Sequence, residues 1–218
     1  MAIELLNIDC MEYMATLPDK AFDLAIVDPP YGIGESGQRN VTGDRPTAKW
    51  KNPKSQHYKT FDDSKPPDEN YWIELFRVSK NQIVWGGNYF TEYLPPSKGW
   101  VVWDKGVDIK EHLSMCELAW TSFDIKCNKY DYLWAGFKKK HQVERIHPTQ
   151  KPVDLYRFLL TFYADEGDKI LDTHLGSASS AIAANMMDFH FVGCENDPDH
   201  YQAALKRYNN AIKQTKLF

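Results

Sequence analysis

The sequence predicts an α/β protein built on a mostly parallel sheet with helices on both faces. Three stretches carry that expectation. Asp23-Leu24-Ala25-Ile26-Val27 is an apolar run closed by Asp28-Pro29-Pro30-Tyr31, and continuous apolar runs mark strands buried on both faces. Lys169-Ile170-Leu171-Asp172 leads through a glycine turn into a helix of small residues ending near Met187. Phe189 to Cys194 is a further strand, closed by Glu195. Strand, glycine turn, helix and strand, with an acid about twenty residues after the glycine, is the layout of a nucleotide-binding unit.

The other elements follow in order. Ile3 to Asp9 reads as a first strand, and Cys10 to Leu17 as a short helix or turn closed by Pro18. Glu69 to Lys80 carries a helical apolar face of Tyr71, Trp72, Leu75, Phe76 and Val78. Gln82 to Trp85 is a strand ended by Gly86-Gly87, and Asn88 to Leu94 a short helix stopped by Pro95-Pro96. Trp100 to Trp103 is a strand with Asp104-Lys105 at its carboxyl end, and Glu117 to Phe123 a strand open to antiparallel pairing. Val153 to Ala164 is a helix entered through His147-Pro148-Thr149-Gln150-Lys151-Pro152. Asp197-Pro198 caps and opens a terminal helix over His200 to Gln214.

At 218 residues, 43% of them hydrophobic, the chain fits one domain spanning 1–218, or one domain with a modest insertion. No apolar run reaches transmembrane length, and Met1-Ala2-Ile3-Glu4 lacks a basic region followed by a hydrophobic one. A cytoplasmic location with no membrane partner is the default expectation. The four cysteines, Cys10, Cys116, Cys127 and Cys194, form no Cys-x-x-Cys pair, which argues against a disulfide framework or a zinc site. No metal is expected.

Asp28-Pro29-Pro30-Tyr31 is the candidate catalytic stretch. Two prolines forbid both a continuing central strand and an immediate helix, so the chain leaves the sheet stiffly at the carboxyl end of a strand, where α/β sheets bind ligands. A carboxylate, carbonyls without competing N–H donors and an aromatic face suit a flat ligand bearing an amino group. Asp-Pro-Pro-Tyr after an apolar strand resembles the catalytic motif of the amino-methyltransferases that act on adenine or cytosine in DNA with S-adenosylmethionine. The order of motifs, catalytic first and cofactor last, is similar to their permuted β-type members. The resemblance spans most of the chain, with 32–70 and 124–146 least covered. It implies a Rossmann-like methyltransferase fold with a mostly parallel seven-stranded sheet.

The resemblance also implies site roles. Asp28 and the Pro29 carbonyl accept hydrogen bonds from the target amine, and Tyr31 stacks on the base. Asp9, Asp28, Thr149, Lys151, Asp172, His174, Gly176, Ser177 and Glu195 are the cofactor-binding candidates. Asp9 also suits a helix N-cap, and the two roles are compatible. His147-Pro148-Thr149-Gln150-Lys151-Pro152 is similar to a His-Pro-x-x-Lys-Pro stretch near the methionine part of the cofactor. The usual Asp-Pro-Phe-x-Gly-Ser-Gly pattern is matched at Asp172, Gly176 and Ser177, whereas Thr173, His174 and Ala178 depart from it. Ala178 adds a methyl where backbone and ligand approach, and it disfavours positive φ. A catalytically silent DNA-binding relative is therefore the alternative from another class.

Double-stranded DNA is the implied partner. Arg39, Arg45, Lys49, Lys51, Lys54 and Lys59 lie between Ser36 and Thr60 against Asp44 alone, and Lys138-Lys139-Lys140 forms a second basic cluster, despite a formal net charge of −4. The DNA-binding candidates are Arg39, Arg45, Lys49, Lys51, Lys138, Lys139 and Lys140. Gly32-Ile33-Gly34-Glu35-Ser36-Gly37 matches G-x-G-x-x-G literally, but it opens no amphipathic helix. Residues 32–67 read instead as a mobile basic loop able to close over DNA. Residues 124–146, with Tyr130, Tyr132, Trp134 and Phe137 beside lysines, read either as a small target-recognition segment or as a hairpin edge of the sheet. A homodimer stays open, and no restriction partner is evident. Adenine N6 is the favoured target on the strength of Asp28, with cytosine N4 the close alternative.

Overall fold

The computed structural model describes residues 2–34, 59–107, 114–135, 138–139 and 144–215. The elements are β1 (Ile3–Leu6), α1 (Cys10–Ala15), β2 (Phe22–Val27), α2 (Glu69–Val78), β3 (Ser79–Trp85), β4 (Trp100–Asp104), β5 (Cys116–Thr121) and β6 (Asn128–Asp131). There follow β7 (Trp134–Ala135), β8 (Lys138–Lys139), α3 (Val153–Tyr163), β9 (Lys169–Asp172), α4 (Ser179–Met186), β10 (His190–Cys194) and α5 (Pro198–Thr215).

The main sheet has the order β1-β10-β9-β2-β3-β5-β4-β6. β1, β10, β9, β2 and β3 are mutually parallel. β5 runs against both β3 and β4, and β6 lies parallel to β4. All strands but β5 therefore point one way. Their carboxyl ends share one edge, and the start of β5 joins them there.

Period-two alternation in β2 explains the two cores. Leu24 and Ile26 face one side, with Ile83, Trp85, Leu155 and Leu159. Ala25 and Val27 face the other, with Met14, Tyr71, Trp72 and Leu75. Helices α3 and α4 thus cover one face and α1 and α2 the other. Aspartates start two of these helices. Asp9 accepts hydrogen bonds from the Met11 and Glu12 amides of α1, and Asp68 from the Asn70 and Tyr71 amides of α2.

Several expectations change. The sheet has one strand more than seven, because β6 adds to its edge. The polar run Asn128-Lys129-Tyr130-Asp131 conceals a strand whose Tyr130 stacks on Phe158 of α3 at 4.6 Å. β3 begins at Ser79 rather than Gln82, since α2 passes into it without a linker. The expected helix over Asn88 to Leu94 is a single 3-10 turn, Gly87–Tyr89, followed by further turns. Tyr132 and Trp134, candidates for stacking on bases, are core residues instead. The Tyr132 hydroxyl donates to Asp154 and the Trp134 indole to the Gln150 carbonyl. β7 and β8 pair antiparallel in a separate two-stranded sheet and not as a hairpin edge of the main one.

Ala178 precedes α4 with φ 60° and ψ 25°, a left-handed conformation, and is fully buried. The methyl makes this backbone costly by about 1–2 kcal/mol. Glycine would relieve it, less the entropy glycine loses on folding. Ala178→Gly is expected to stabilise the fold by about 0.5–1 kcal/mol, read as a higher urea midpoint at unchanged slope.

Candidate active site

The candidate site lies on the shared carboxyl edge. β2 is central, flanked by β9 and β3, so Asp28 emerges between the two halves of the sheet. The Tyr31 hydroxyl donates to Asp28 Oδ1 at 2.8 Å. The Tyr31 ring stacks on Tyr89 with centroids 5.0 Å apart and meets the edge of Phe90 at 6.0 Å. Gly86, at φ +67°, makes room for it: a Cβ there would fall 2.3 Å from the ring. Gly37 lies outside the described residues, and Gly32 and Gly34 are both held by Asp63. The Gly32 amide donates to Asp63 Oδ1 and the Gly34 amide to the Asp63 carbonyl, both at 3.0 Å.

Lys151, at the entry to α3, extends Nζ onto Asp28 Oδ2. Its side chain is only 4% exposed. A buried ammonium needs compensating charge, and Lys151 has two carboxylates. The second is Glu117 of β5, with Oε2 3.3 Å away. Lys105, after β4, holds Glu117 Oε1 at 2.6 Å. Lys151 Nζ also lies 5.3 Å from the Trp85 ring centre, and Lys105 Nζ equally far from that of Trp103. Negative and positive groups therefore alternate through Asp28, Lys151, Glu117 and Lys105. Burial works against both partners of the inner pair. It is outweighed in Lys151 by Asp28 and Glu117, which hold the ammonium above its ordinary pKa. In Glu117 it is outweighed by Lys151 and Lys105, which hold the carboxyl at about 2.

The other half of the site follows β9 and β10. Asp172 Oδ2 accepts from the Ser180 hydroxyl at 2.6 Å, and Oδ1 from the His174 amide at 3.0 Å. Thr173 Oγ1 joins the Tyr71 hydroxyl at 2.7 Å and His174 Nδ1 at 2.9 Å. Gly176, at φ +51°, donates its amide to Glu195 Oε2, and Asp197 donates its own to Glu195 Oε1, both at 3.0 Å. Arg207 of α5 grips the Ser177 carbonyl at 2.5 Å and Ser179 Oγ at 2.9 Å. Ser179 in turn donates to the Lys151 carbonyl at 2.7 Å. The glycine turn and the segment bearing Lys151 are thus tied together.

This edge is rich in acid. Burial raises the Asp172 carboxyl to about 7; the Ser180 hydroxyl and His174 amide oppose that shift, and the negative Asp28 and Glu195 add to it. Burial also raises Glu195. His174 is pushed down to about 4 by burial, with Asp9 opposing, and is neutral at pH 7. His147 is pushed to about 3 by burial and by the positive groups around it. Its ring stacks on Phe61 at 5.5 Å and meets His200 at 4.6 Å.

The structure brings Asp28, Lys151, Asp172, His174, Gly176, Ser177 and Glu195 to one edge, with Asp9 just beyond the end of β1. Lys151, expected near a cofactor carboxylate, points to Asp28. Thr149 is exposed, with its hydroxyl 3.1 Å from His147 Nδ1. Asp197 caps α5 through the Asp199 and His200 amides. Arg39, Arg45, Lys49, Lys51 and Lys140 lie outside the described residues, as does most of the expected 32–67 loop, while Lys138 and Lys139 are placed by backbone alone in β8. Sequence reasoning missed Glu117, Lys105 and Arg207. The available signal for Glu117 was a lone charge inside Cys116-Glu117-Leu118-Ala119-Trp120.

Residues 108–206 match the DNA methylase family model of the N6/N4 type. The type II methyltransferase M2.DpnII of Streptococcus pneumoniae is 25% identical over 93% of this chain and 88% of its own length. The complex of M1.HpyAVI with SAM superposes with a TM-score of 0.57 at 17% identity, over 94% of this chain and 100% of the other. The cytosine-N4-specific PvuII DNA methyltransferase gives 0.63 at 10% identity, over 98% and 91%. The structural likenesses show the Rossmann-like methyltransferase fold. The family match and the full-length relative support a DNA amino-methyltransferase.

A buried carboxyl that titrates near 7 stabilises the folded chain below its ordinary value of 3.8 and loses that contribution as pH climbs through 7. Asp172→Asn should therefore raise the melting temperature at pH 8 and leave it nearly unchanged at pH 4, as read by calorimetry.

Proposed function

We propose that this chain, read as a DNA amino-methyltransferase, transfers a methyl group from S-adenosylmethionine to the N6 amino group of adenine in double-stranded DNA. The observation that carries the reading is the Asp28-Pro29 turn at the carboxyl end of β2, with its carboxylate held by a buried lysine.

An exocyclic amine is a weak nucleophile because its lone pair is delocalised into the ring. Asp28 and the Pro29 carbonyl are acceptors for the two amino hydrogens, and two such bonds favour a tetrahedral nitrogen with its lone pair free. Bonds to an ionised acceptor are the stronger kind, and fixed acceptors contribute through positioning and preorganised electrostatics. In the structure Asp28 Oδ1 already takes the Tyr31 hydroxyl. That hydroxyl gives way to the amine when a base enters, and the ring then serves as a stacking face. A target within duplex DNA has first to be flipped out, at a cost of roughly a few kcal/mol. The basic stretches around Arg39 to Lys51 and Lys138 to Lys140 are the proposed phosphate contacts.

The residues on the edge suit the cofactor. Asp9, Asp28, Asp172 and Glu195 make it acidic, and a ligand with a sulfonium, an ammonium and ribose hydroxyls answers that charge with cations and donors. Asp172, Glu195 and the turn from His174 to Ser177 would hold it, with Asp9 and Thr149 as further contacts. When bound, S-adenosylmethionine supplies the electrophilic methyl group. M1.HpyAVI has been solved with SAM on the same fold.

Cytosine N4 is the second reading, favoured by the likeness to the cytosine-N4-specific PvuII enzyme. Incubation of unmethylated plasmid with the protein and S-adenosylmethionine, followed by mass spectrometry of the nucleosides, separates the two. N6-methyladenine is expected; N4-methylcytosine would transfer the proposal to the second reading. Neither product, with cofactor bound, would leave the silent relative. Asp28→Ala is expected to abolish product while cofactor affinity stays within a few-fold, and an active Asp28→Ala would refute the role given to this carboxylate.

A further inference from the structure

We propose that Glu117 is a positioning residue for methyl transfer, acting through Lys151 to fix the Asp28 carboxylate; the inference rests on the methyltransferase reading above. Glu117 lies far from the catalytic turn in sequence. It reaches the site because β5 is the one strand of the main sheet that runs backwards. Its position near the start of β5 therefore falls on the edge where the other strands end. Glu117 pairs in register with Trp103 of β4, and Lys105 two residues later closes on its outer oxygen.

The inner oxygen, Oε2, is the informative one. It is buried and has no hydrogen bond of good geometry among the described residues. Its contact is the ion pair to Lys151 at 3.3 Å. A buried carboxylate oxygen is costly to leave without a hydrogen bond. Its place is explained by what it does to the lysine. Lys151 Nζ donates to Asp28 and is ion-paired with Glu117, over the Trp85 ring. With both carboxylates present the ammonium is held between them, and Asp28 Oδ2 is held by the ammonium. Oδ1 then faces Tyr31 and the place an amine would take. Without the Glu117 charge, Nζ keeps Asp28 and the Trp85 ring as its contacts among the described residues, and its position, with that of Asp28 Oδ2, is less tightly fixed. Lys105 completes the set, since two lysines and two carboxylates are neutral together.

The consequence is separable from binding. Glu117 is assigned no contact with either proposed ligand, and its ion pairs among the described residues are with Lys105 and Lys151, so its loss should act on the chemical step. Glu117→Gln keeps the shape and removes the charge. We expect kcat to fall on the order of 10²-fold, the size of a small misplacement of a reacting group, with KM for DNA and cofactor within about threefold of the parent. Glu117→Asp keeps the charge but retracts it, and should recover part of kcat. Loss of KM instead of kcat, or a Glu117→Gln variant as fast as the parent, would overturn the proposal. An independent readout needs no turnover: the carboxyl ¹³C resonance of Asp28, identified by its absence in Asp28→Asn. It should move in Glu117→Gln and lie nearer the parent position in Glu117→Asp. An unmoved resonance in both folded variants also overturns the proposal. A parent that binds cofactor but methylates nothing would instead refute the functional reading, and the resonance would still decide the pairing.

Discussion

The ion pair between Asp28 and Lys151 is the constraint on which the site depends. A lysine that is almost wholly buried must be balanced, and removing one partner of such a pair typically costs about 3–5 kcal/mol. The fold meets that demand with a second carboxylate and a second lysine, drawn from the ends of β4 and β5. Each group of the chain comes from a different element. Their convergence follows from sheet order: β2 and β3 are neighbours, β5 lies beside β3, and α3 packs on the face from which Lys151 enters. Fold and site are thus one electrostatic problem, and the antiparallel strand solves part of it.

The opposite half of the edge is built against stability. Asp172 is buried among like charges, and Ala178 sits in a left-handed conformation beside it. Both are costs that a packed domain would otherwise avoid, and both lie at the turn between β9 and α4. Strain concentrated at one turn is the pattern of a site prepared for a ligand. The positive ends of that ligand would relieve the acid cluster. The backbone of the turn is meanwhile held by Glu195, Arg207 and Cys194 rather than by the ligand.

Much of this was legible in the sequence. The β2 run and its double proline marked the end of the strand and the turn at the sheet edge because apolar continuity and proline geometry are local properties. The β9–α4–β10 unit was legible for the same reason, and so was Asp197 as a cap. The hidden parts are those that tertiary context decides. β6 is a strand because Tyr130 packs on Phe158, although its sequence is polar. Tyr132 and Trp134 looked like a stacking platform, but each has one polar atom satisfied by a neighbour and its ring in the core. Lys151 read as a cofactor contact at a helix start, and the structure places it on Asp28. Glu117 could not be found without knowing that β5 is reversed.

The most direct measurement is on Lys151, which the sequence placed beside the cofactor and the structure places on Asp28. Lys151→Met should be compared with the parent for S-adenosylmethionine affinity by calorimetry and for single-turnover methyl transfer at saturating cofactor and DNA. Affinity within a few-fold of the parent and a methyl-transfer step slowed by orders of magnitude follow from the Asp28–Lys151 pairing. Lost affinity with a preserved step at saturation would contradict it, returning Lys151 to the cofactor and leaving Asp28 to be positioned by other means.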